Sequence, residues 1–311
     1  MPDPAGADAP PPDRLEVVGK VAIVIRECPH ANTANEWLWG KVWRQVKYMA
    51  SMRKSVTPKY IADAITAAIC QFCPAGKVFD AFCGVGGQTV SLAAAGLKVW
   101  AIDIDQNNVN DAHHNASAHG VLERVRIACG DFFDGVARLA SKWQPIGKKF
   151  AAMHIDMPWG PAYATEGACP LDRMGADGKL SAYEVLEVAS RLSDSLVFKG
   201  PRTMAISDVV KLAYHLQSLK AKGAPQSEPE IPVQSEPEIP VAEAYVSRNK
   251  THMVAVYMGE VAANYMATLP APTTSRNLTR RLWTVEQCVD DMRRAGKAVG
   301  LGRVAFEPRA P

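Results

Sequence analysis

Two short segments carry residue types that suit chemistry at the end of a strand. The first is Asp80-Ala81-Phe82-Cys83-Gly84-Val85-Gly86-Gly87, and the second is Asp156-Met157-Pro158-Trp159-Gly160-Pro161. Each follows a short apolar run that is typical of a β-strand. Glycines in the first segment let the backbone approach a ligand and adopt positive φ, which predicts a loop that cradles a cofactor. The acid and the indole in the second predict a loop that grips a flat nitrogenous base.

Acidic residues end three successive predicted strands, where ligands of open α/β sheets bind. Asp80 precedes the glycine loop, where it either orients the loop or meets the amino group of a bound methionine moiety. Asp103, which we favour over Asp105, is the candidate acceptor for ribose hydroxyls, and Asp131 is the candidate for an adenine amino group. Each acid alone could be a helix cap, but three in succession favour a nucleoside-containing cofactor. The glycine spacing differs from G-x-G-x-x-G, which disfavours a nicotinamide cofactor.

The second segment has the parts needed for methyl transfer to an exocyclic nitrogen. Asp156 and the backbone carbonyl of Met157 can accept hydrogen bonds from an NH₂ group, so that its lone pair points at the methyl group. Trp159 can stack on the base, and a cationic base would bind an indole face especially well. The alternative of a core aromatic is disfavoured by the Pro-Trp-Gly-Pro context. A sulfonium donor requires positioning and desolvation rather than a metal. The predicted catalytic residues are therefore Asp156, Met157, Pro158 and Trp159.

The chain around these segments alternates between strand and helix patterns, as βαβ units do. Strands are predicted at 77–82, 97–103, 124–129, 149–155 and 194–198, and helices at 87–95, 106–118, 133–142, 181–192 and 206–219. Two more strands, 242–248 and 252–258, are close enough to be antiparallel neighbours. This pattern predicts an α/β, Rossmann-like fold of the class I S-adenosylmethionine-dependent methyltransferase type. Its sheet would be mostly parallel and seven-stranded, with helices on both faces.

Composition changes divide the chain into four regions. Residues 1–35 are predicted to be disordered, 36–73 to be helical and basic, 74–261 to form the methyltransferase domain, and 262–311 to be a basic tail with one helix near 284–295. Within 36–73, Thr57 is a candidate helix cap before Pro58. An eight-residue sequence repeated within 222–241 predicts an exposed insertion, because it is rich in Pro and Glu.

Charge and cysteine content bear on four questions: phosphate contact, membrane insertion, redox state and metal binding. The formal net charge of +3 is mild, but residues 41–60 contain six Lys and Arg residues and no acid, which suits contact with phosphates. A solvated helix face is the alternative for that stretch. No apolar run is long enough to span a membrane, and the seven scattered cysteines indicate a reduced, intracellular protein. The Cys70–Cys73 pair has no second pair at zinc-finger spacing, so we expect no metal.

The combination of motifs resembles the trimethylguanosine synthases over about residues 41–260. The matching segments are Ser55-Val56-Thr57-Pro58, Val78–Gly87, Ala101–Asp105, Cys129–Phe132, Pro158-Trp159-Gly160 and Tyr163-Ala164-Thr165. The resemblance implies methylation of N2 of 7-methylguanosine in the caps of small nuclear and nucleolar RNAs, within the nucleus. It implies S-adenosylmethionine as cofactor, held by Asp80, Phe82, Gly84, Gly86, Asp103, Asp131 and Phe132. It also implies that Trp159 stacks on the methylated base, with Lys47, Tyr163 and Arg202 near the cap phosphates.

The chain departs from the family pattern at two places that matter for the base. Asp156-Met157 stands where the family has Ser-Pro, and Arg53-Lys54 stands where it has Trp-Phe. We expect a monomer that acts on capped RNA without a metal or a membrane. Two other functions stay open: another amino methyltransferase acting on adenine, guanine or a protein glutamine, and a non-catalytic RNA-binding protein on the same fold.

Overall fold

A nine-stranded sheet organises the computed structural model, which describes residues 20–29, 31–161, 169–223, 239–247, 250–268 and 278–284. The strand order is β4-β3-β2-β5-β6-β8-β7-β1-β9. The strands are β1 (Lys20–Glu27), β2 (Lys77–Ala81), β3 (Lys98–Asp103), β4 (Val125–Cys129), β5 (Ala152–Ile155), β6 (Ser195–Pro201), β7 (Val241–Ser247), β8 (Lys250–Gly259) and β9 (Leu278–Thr284). The α-helices are α1 (Ala34–Trp39), α2 (Lys59–Phe72), α3 (Gly87–Ala94), α4 (Gln106–Ala118), α5 (Phe132–Trp143), α6 (Ala182–Ser190), α7 (Ile206–Gly223) and α8 (Glu260–Thr268).

The seven strands from β2 to β8 confirm the predicted fold class. Strands β2 to β6 pair in parallel, and β8 is antiparallel to both β6 and β7. Because side chains alternate along a strand, Phe79 and Val78 of β2 enter opposite layers of core. Helices α5, α6 and α7 cover one face of the sheet, and α2, α3 and α8 cover the other, together with Ala116 of α4.

Two strands lie beyond the predicted seven, one in the segment predicted to be disordered and one in the predicted basic tail. The prediction of disorder over 1–35 is wrong for Lys20–Glu27, because β1 pairs in parallel with β7 and supplies Val21 and Val24 to the core. Regular structure also continues past the predicted domain boundary at residue 261. Helix α8 continues to Thr268, and β9 pairs antiparallel with β1. The rest of the predicted tail and helix 284–295, apart from Thr284 in β9, lies outside the described residues.

A buried acid joins β1 to the sheet. The Glu243 side chain, on β7, is fully buried and forms an ion pair with Arg26 of β1. It also accepts hydrogen bonds from the hydroxyls of Tyr245 (2.8 Å), Tyr257 (2.9 Å) and Tyr265 (2.9 Å). Burial and the neighbouring Glu243 charge raise the pKa of the Tyr245 and Tyr257 hydroxyls well above the usual value, so both stay protonated donors. These bonds stabilise the attachment of β1, which the local sequence does not reveal.

The segment before α2 packs against the glycine loop. Leu38, Trp39 and Val56 form a small cluster with Val85, which lies inside that loop. Helix α2 begins at Lys59, and its N-terminal flanking residue is Pro58, which has no side-chain cap. The predicted cap role of Thr57 is therefore wrong. Its hydroxyl instead contacts Asp156 and Lys199 at the site described next. The 36–73 region therefore contributes side chains to that site.

Candidate active site

A cavity of about 620 Å³ opens at the carboxyl ends of β2, β3 and β5. It is bounded by the glycine loop after β2, by the loop after β5, and by residues from Met52 to Thr57. Its size falls in the range of about 300–1,000 Å³ that small-molecule sites occupy. The two segments singled out in the sequence therefore face one shared space.

The glycine loop has the backbone geometry that its sequence predicts. Gly84 and Gly86 have φ of 52° and 88°, and Phe82 also has positive φ, at 59°. A Cβ on Gly86 would lie 3.1 Å from the Cβ of Ala112, so the loop sits tightly on α4. The loop thereby turns from β2 into α3 while Phe82 and Gly84 line the cavity.

Asp103 lines the cavity and holds the glycine loop in place. Its Oδ2 accepts a hydrogen bond from the backbone N–H of Gly84 at 2.8 Å. Its Oδ1 accepts from the N–H of Asp105 (3.0 Å) and from the side chain of Asn108 (3.1 Å). Next to it, Ile104 is 73% exposed on the cavity wall, an apolar surface that the sequence reasoning missed.

Asp80 is a buried support of the loop. Its carboxylate lies 2.8 Å from Nδ1 of His154 and accepts a hydrogen bond from the hydroxyl of Thr89. All three side chains are buried, so Asp80 fixes the end of β2 to β5 and α3. These contacts suit the role of orienting the loop and make His154 a structural partner. Asp80 also lines the cavity, so meeting a bound ligand stays a second prediction for it.

Two predicted cofactor residues, Asp131 and Phe132, are packed behind the lining of the cavity or cap a helix. Asp131 caps α5, because its Oδ1 accepts from the N–H groups of Phe133 (2.8 Å) and Asp134 (3.1 Å). Phe132 is buried in the core, and its ring lies 4.9 Å from that of Phe82. Neither Asp131 nor Phe132 is among the described residues that line the cavity. Asp131 is therefore a helix cap, which is the alternative given for each of the three acids.

The loop after β5, Asp156-Met157-Pro158-Trp159-Gly160-Pro161, which we call the acceptor loop after its predicted role, is held by a lysine that the sequence reasoning missed. Asp156 forms an ion pair with Lys199 of β6, whose side chain is fully buried. The Lys199 ammonium also donates to the hydroxyl of Thr57 at 2.7 Å, and that hydroxyl lies 3.3 Å from Oδ2 of Asp156. A lysine that ends an otherwise apolar run, Val197-Phe198-Lys199, was the available signal.

Trp159 lines the cavity above this ion pair. The Lys199 ammonium lies 5.2 Å from the centre of the indole ring, and the indole N–H donates to the backbone carbonyl of Lys199 at 3.1 Å. The Met157 side chain is buried, and Pro158 is exposed. Gly160 has φ of 75°, and a Cβ there would lie 2.3 Å from the carbonyl oxygen of Gly175. Only glycine fits this turn without displacing the backbone.

Two of the predicted phosphate-contacting residues, Lys47 and Arg202, are not among the described residues that line the cavity. Lys47 is exposed, and its backbone N–H and carbonyl bond the side chain of Asn115. Arg202 is exposed at the end of β6, and Tyr163 lies outside the described residues. Among the described residues, Lys54 is an exposed cation that does line the cavity. It occupies one of the two positions at which the family carries aromatic side chains.

Cys83 in the glycine loop is unsuited to act as a nucleophile. Burial raises the pKa of its thiol well above the usual value, and the nearby charges of Asp80 and Asp103 raise it further. The thiol is therefore protonated at neutral pH. No group of three or more His, Cys, Asp or Glu in the described ranges could hold a metal ion. No helix in those ranges is long and apolar enough to cross a membrane.

Comparisons with known proteins agree with this geometry. A family model described as RNA cap guanine-N2 methyltransferase matches residues 75–261. Trimethylguanosine synthase of Schizosaccharomyces pombe is 30% identical over 163 residues, which are 51% of this chain and 63% of that protein. Its Saccharomyces cerevisiae counterpart is 28% identical over 50% of this chain and 48% of its own length. A tRNA (guanine(10)-N2)-dimethyltransferase of Pyrococcus abyssi is 34% identical over 36% of this chain and 31% of its own.

Proposed function

Because this chain belongs to the RNA cap guanine-N2 methyltransferase family, we propose that it methylates the exocyclic N2 of 7-methylguanosine in RNA caps. The observation that carries the proposal is that the glycine loop and the Asp156–Trp159 loop line one cavity. The yeast relatives support the same substrate by their names, although the chain spans 63% and 48% of their lengths. The proposed substrates, small nuclear and nucleolar RNAs, would place the protein in the nucleus.

The residues beside the glycine loop fit S-adenosylmethionine. When bound, this cofactor supplies a methyl group that is already activated on a positively charged sulfur. Gly84 and Gly86 shape a backbone that leaves room for a ligand. Asp103 would accept from ribose hydroxyls, and exposed Ile104 would cover one face of the adenine. Phe132 would act only by supporting Phe82, and Asp131 by placing the start of α5.

The loop after β5 supplies what the acceptor nitrogen needs. Asp156 and the backbone carbonyl of Met157 would accept hydrogen bonds from the amino group at N2, which directs the nitrogen lone pair into the cavity. Trp159 would fix the plane of the base by stacking. Because 7-methylguanine carries a positive charge, an indole face also selects it over unmethylated guanine.

The cap phosphates would meet cations at the mouth of the cavity. Lys54 is placed there by the short turn Ala50–Lys54, and it belongs to the acid-free stretch 41–60. We propose that the Lys54 ammonium contacts a cap phosphate, at a position where the family pattern has an aromatic side chain. Lys47, Tyr163 and Arg202 remain proposed contacts farther along the triphosphate or the RNA.

The test is a methylation assay with purified protein and S-adenosylmethionine. The acceptors are 7-methylguanosine triphosphate, GTP, capped RNA and the same RNA without a cap, and the products are weighed by mass spectrometry. We expect methyl groups to be added only to the two 7-methylated acceptors. The product masses also show whether one or two methyl groups are added.

A second candidate is methylation of guanine N2 within uncapped RNA. The Pyrococcus abyssi relative, whose name gives a guanine N2 in tRNA as its target, favours this alternative. Product formed on uncapped RNA in the same assay would select it. In that case the acceptor loop would keep its role, and the selection for a cationic base at Trp159 would be lost.

A further inference from the structure

Lys199 is a buried cation at the centre of the proposed base site. Its side chain is 1% exposed, at the carboxyl end of β6, where the neighbouring strand residues Val197 and Phe198 are fully buried. Lysine is almost never fully buried unless it is paired. Here the partner is Asp156, the residue to which the acceptor role is assigned.

The two carboxylate oxygens of Asp156 have different contacts. The Lys199 ammonium pairs with Oδ2, and the Thr57 hydroxyl donates to the same oxygen at 3.3 Å. Because Thr57 also accepts a hydrogen bond from Lys199, its own proton is directed to Asp156. Within the described part of the chain, no hydrogen bond or ion pair involves Oδ1. One carboxylate oxygen is thus fixed by the protein, and the other has no partner among the described residues and lies on the cavity-lining residue Asp156.

The same lysine also holds the stacking residue. Its ammonium lies 5.2 Å from the centre of the Trp159 ring, and its backbone carbonyl accepts the indole N–H at 3.1 Å. Lys199, on the central strand β6, therefore contacts both the Asp156 carboxylate and the indole ring of Trp159. A base bound between them has its amino group and its ring plane set together.

We propose that Lys199 is a positioning residue for methyl transfer, which fixes Oδ1 of Asp156 as the acceptor for the N2 amino group and fixes Trp159 relative to it. This inference rests on the proposed function. Asp156 stands where the family has Ser, so the ion pair with Lys199 gives a carboxylate the fixed geometry that an unpaired carboxylate would lack. Lys199 and Asp156 together are neutral, so the pair adds no net charge beneath a cationic base.

The pairing makes the two positions interdependent. Asp156→Ser alone would leave a buried ammonium without its counter-charge, which is more harmful than removing both charges. The double variant Lys199→Met with Asp156→Ser removes the cation and places at position 156 the serine of the family pattern. We therefore expect the double variant to have a higher kcat than Asp156→Ser, although each substitution alone lowers kcat.

The experiment measures kcat and KM with 7-methylguanosine triphosphate, the Kd of S-adenosylhomocysteine, and Tm. Lys199→Met should lower kcat by about 100-fold, with the S-adenosylhomocysteine Kd changed by less than about twofold. The matched control is Lys149→Met, because Lys149 pairs with Asp194 at the opposite ends of β5 and β6, with Nζ–Oδ1 at 2.6 Å. That exposed pair should leave kcat unchanged within about twofold.

A milder pair of variants tests the same network if Lys199→Met does not fold. Thr57→Val removes the hydroxyl but keeps the shape, and it should lower kcat by about tenfold, whereas Thr57→Ser should keep kcat within about threefold. Equal kcat for the Val and Ser variants would overturn the positioning role.

Three further outcomes separate this inference from the proposed function. Wild-type kcat in Lys199→Met would overturn the positioning role alone, whereas a parallel loss of kcat, cofactor affinity and Tm would leave the decision to the Thr57 variants. A double variant no more active than Asp156→Ser would also overturn it. A wild-type protein that methylates neither 7-methylguanosine triphosphate nor capped RNA would overturn both.

Discussion

Replacing Trp159 by Ala tests whether the indole selects a cationic base. Stacking of a base on an aromatic ring contributes about 1–3 kcal/mol, and a desolvated cation–π contact contributes about 2 kcal/mol. Trp159 is half-buried and lines the cavity, so both contributions apply to 7-methylguanosine triphosphate. A loss of about 3 kcal/mol corresponds to roughly 150-fold weaker binding. GTP, whose base is uncharged, loses only the stacking contribution, or roughly tenfold at about 1.4 kcal/mol.

The assay is isothermal titration of wild type and variant with both nucleotides and with S-adenosylhomocysteine. Cofactor affinity should change by less than about threefold, because Trp159 belongs to the loop after β5 and not to the glycine loop. Trp159→Phe is the matched control, because it keeps an aromatic ring but loses the N–H bond to the Lys199 carbonyl. Its affinity for 7-methylguanosine triphosphate should lie between those of wild type and Trp159→Ala. An equal loss of all three affinities would refute the reasoning and make Trp159 structural.

The remaining predictions concern the two loops, the sheet and the repeat. Gly160→Ala places a Cβ 2.3 Å from a backbone oxygen, so initial rates should fall at least about tenfold, and an unchanged rate would contradict the tight turn. Asp103→Ala should weaken S-adenosylhomocysteine binding about 100-fold in calorimetry while binding of 7-methylguanosine triphosphate is kept. Glu243→Gln should lower the free energy of unfolding by about 3 kcal/mol in urea titrations, and a loss below about 1 kcal/mol would show that the buried pair contributes little. Because Val241 already belongs to β7, the deletion that tests the solvated-insertion prediction is one repeat copy, Gln226–Val233; methylation rates should not change, and loss of soluble protein would refute the prediction.

Local pattern in the sequence determined the central fold and the position of its loops. Apolar runs alternating with helix patterns predict β2 to β8 within a few residues, and the helix predicted at 106–118 has the observed bounds. The reason is that burial on one face of a strand or helix leaves a repeating signature along a few neighbouring residues. The carboxyl ends of parallel strands share one sheet edge, so the sequence also predicted that Gly84 and Asp156 face a common site.

Only the tertiary structure decided which side chains meet across the sequence. Strands β1 and β9 are held by pairing with distant strands and by the Arg26–Glu243 ion pair, which no local pattern encodes. The same holds for Thr57, Asp156 and Lys199, which come from three separate parts of the chain and meet only after the sheet has formed. A contact between distant residues depends on the strand order and register, because these fix which strand ends become neighbours. That is why the sequence identified the acceptor loop but not the buried lysine that positions it.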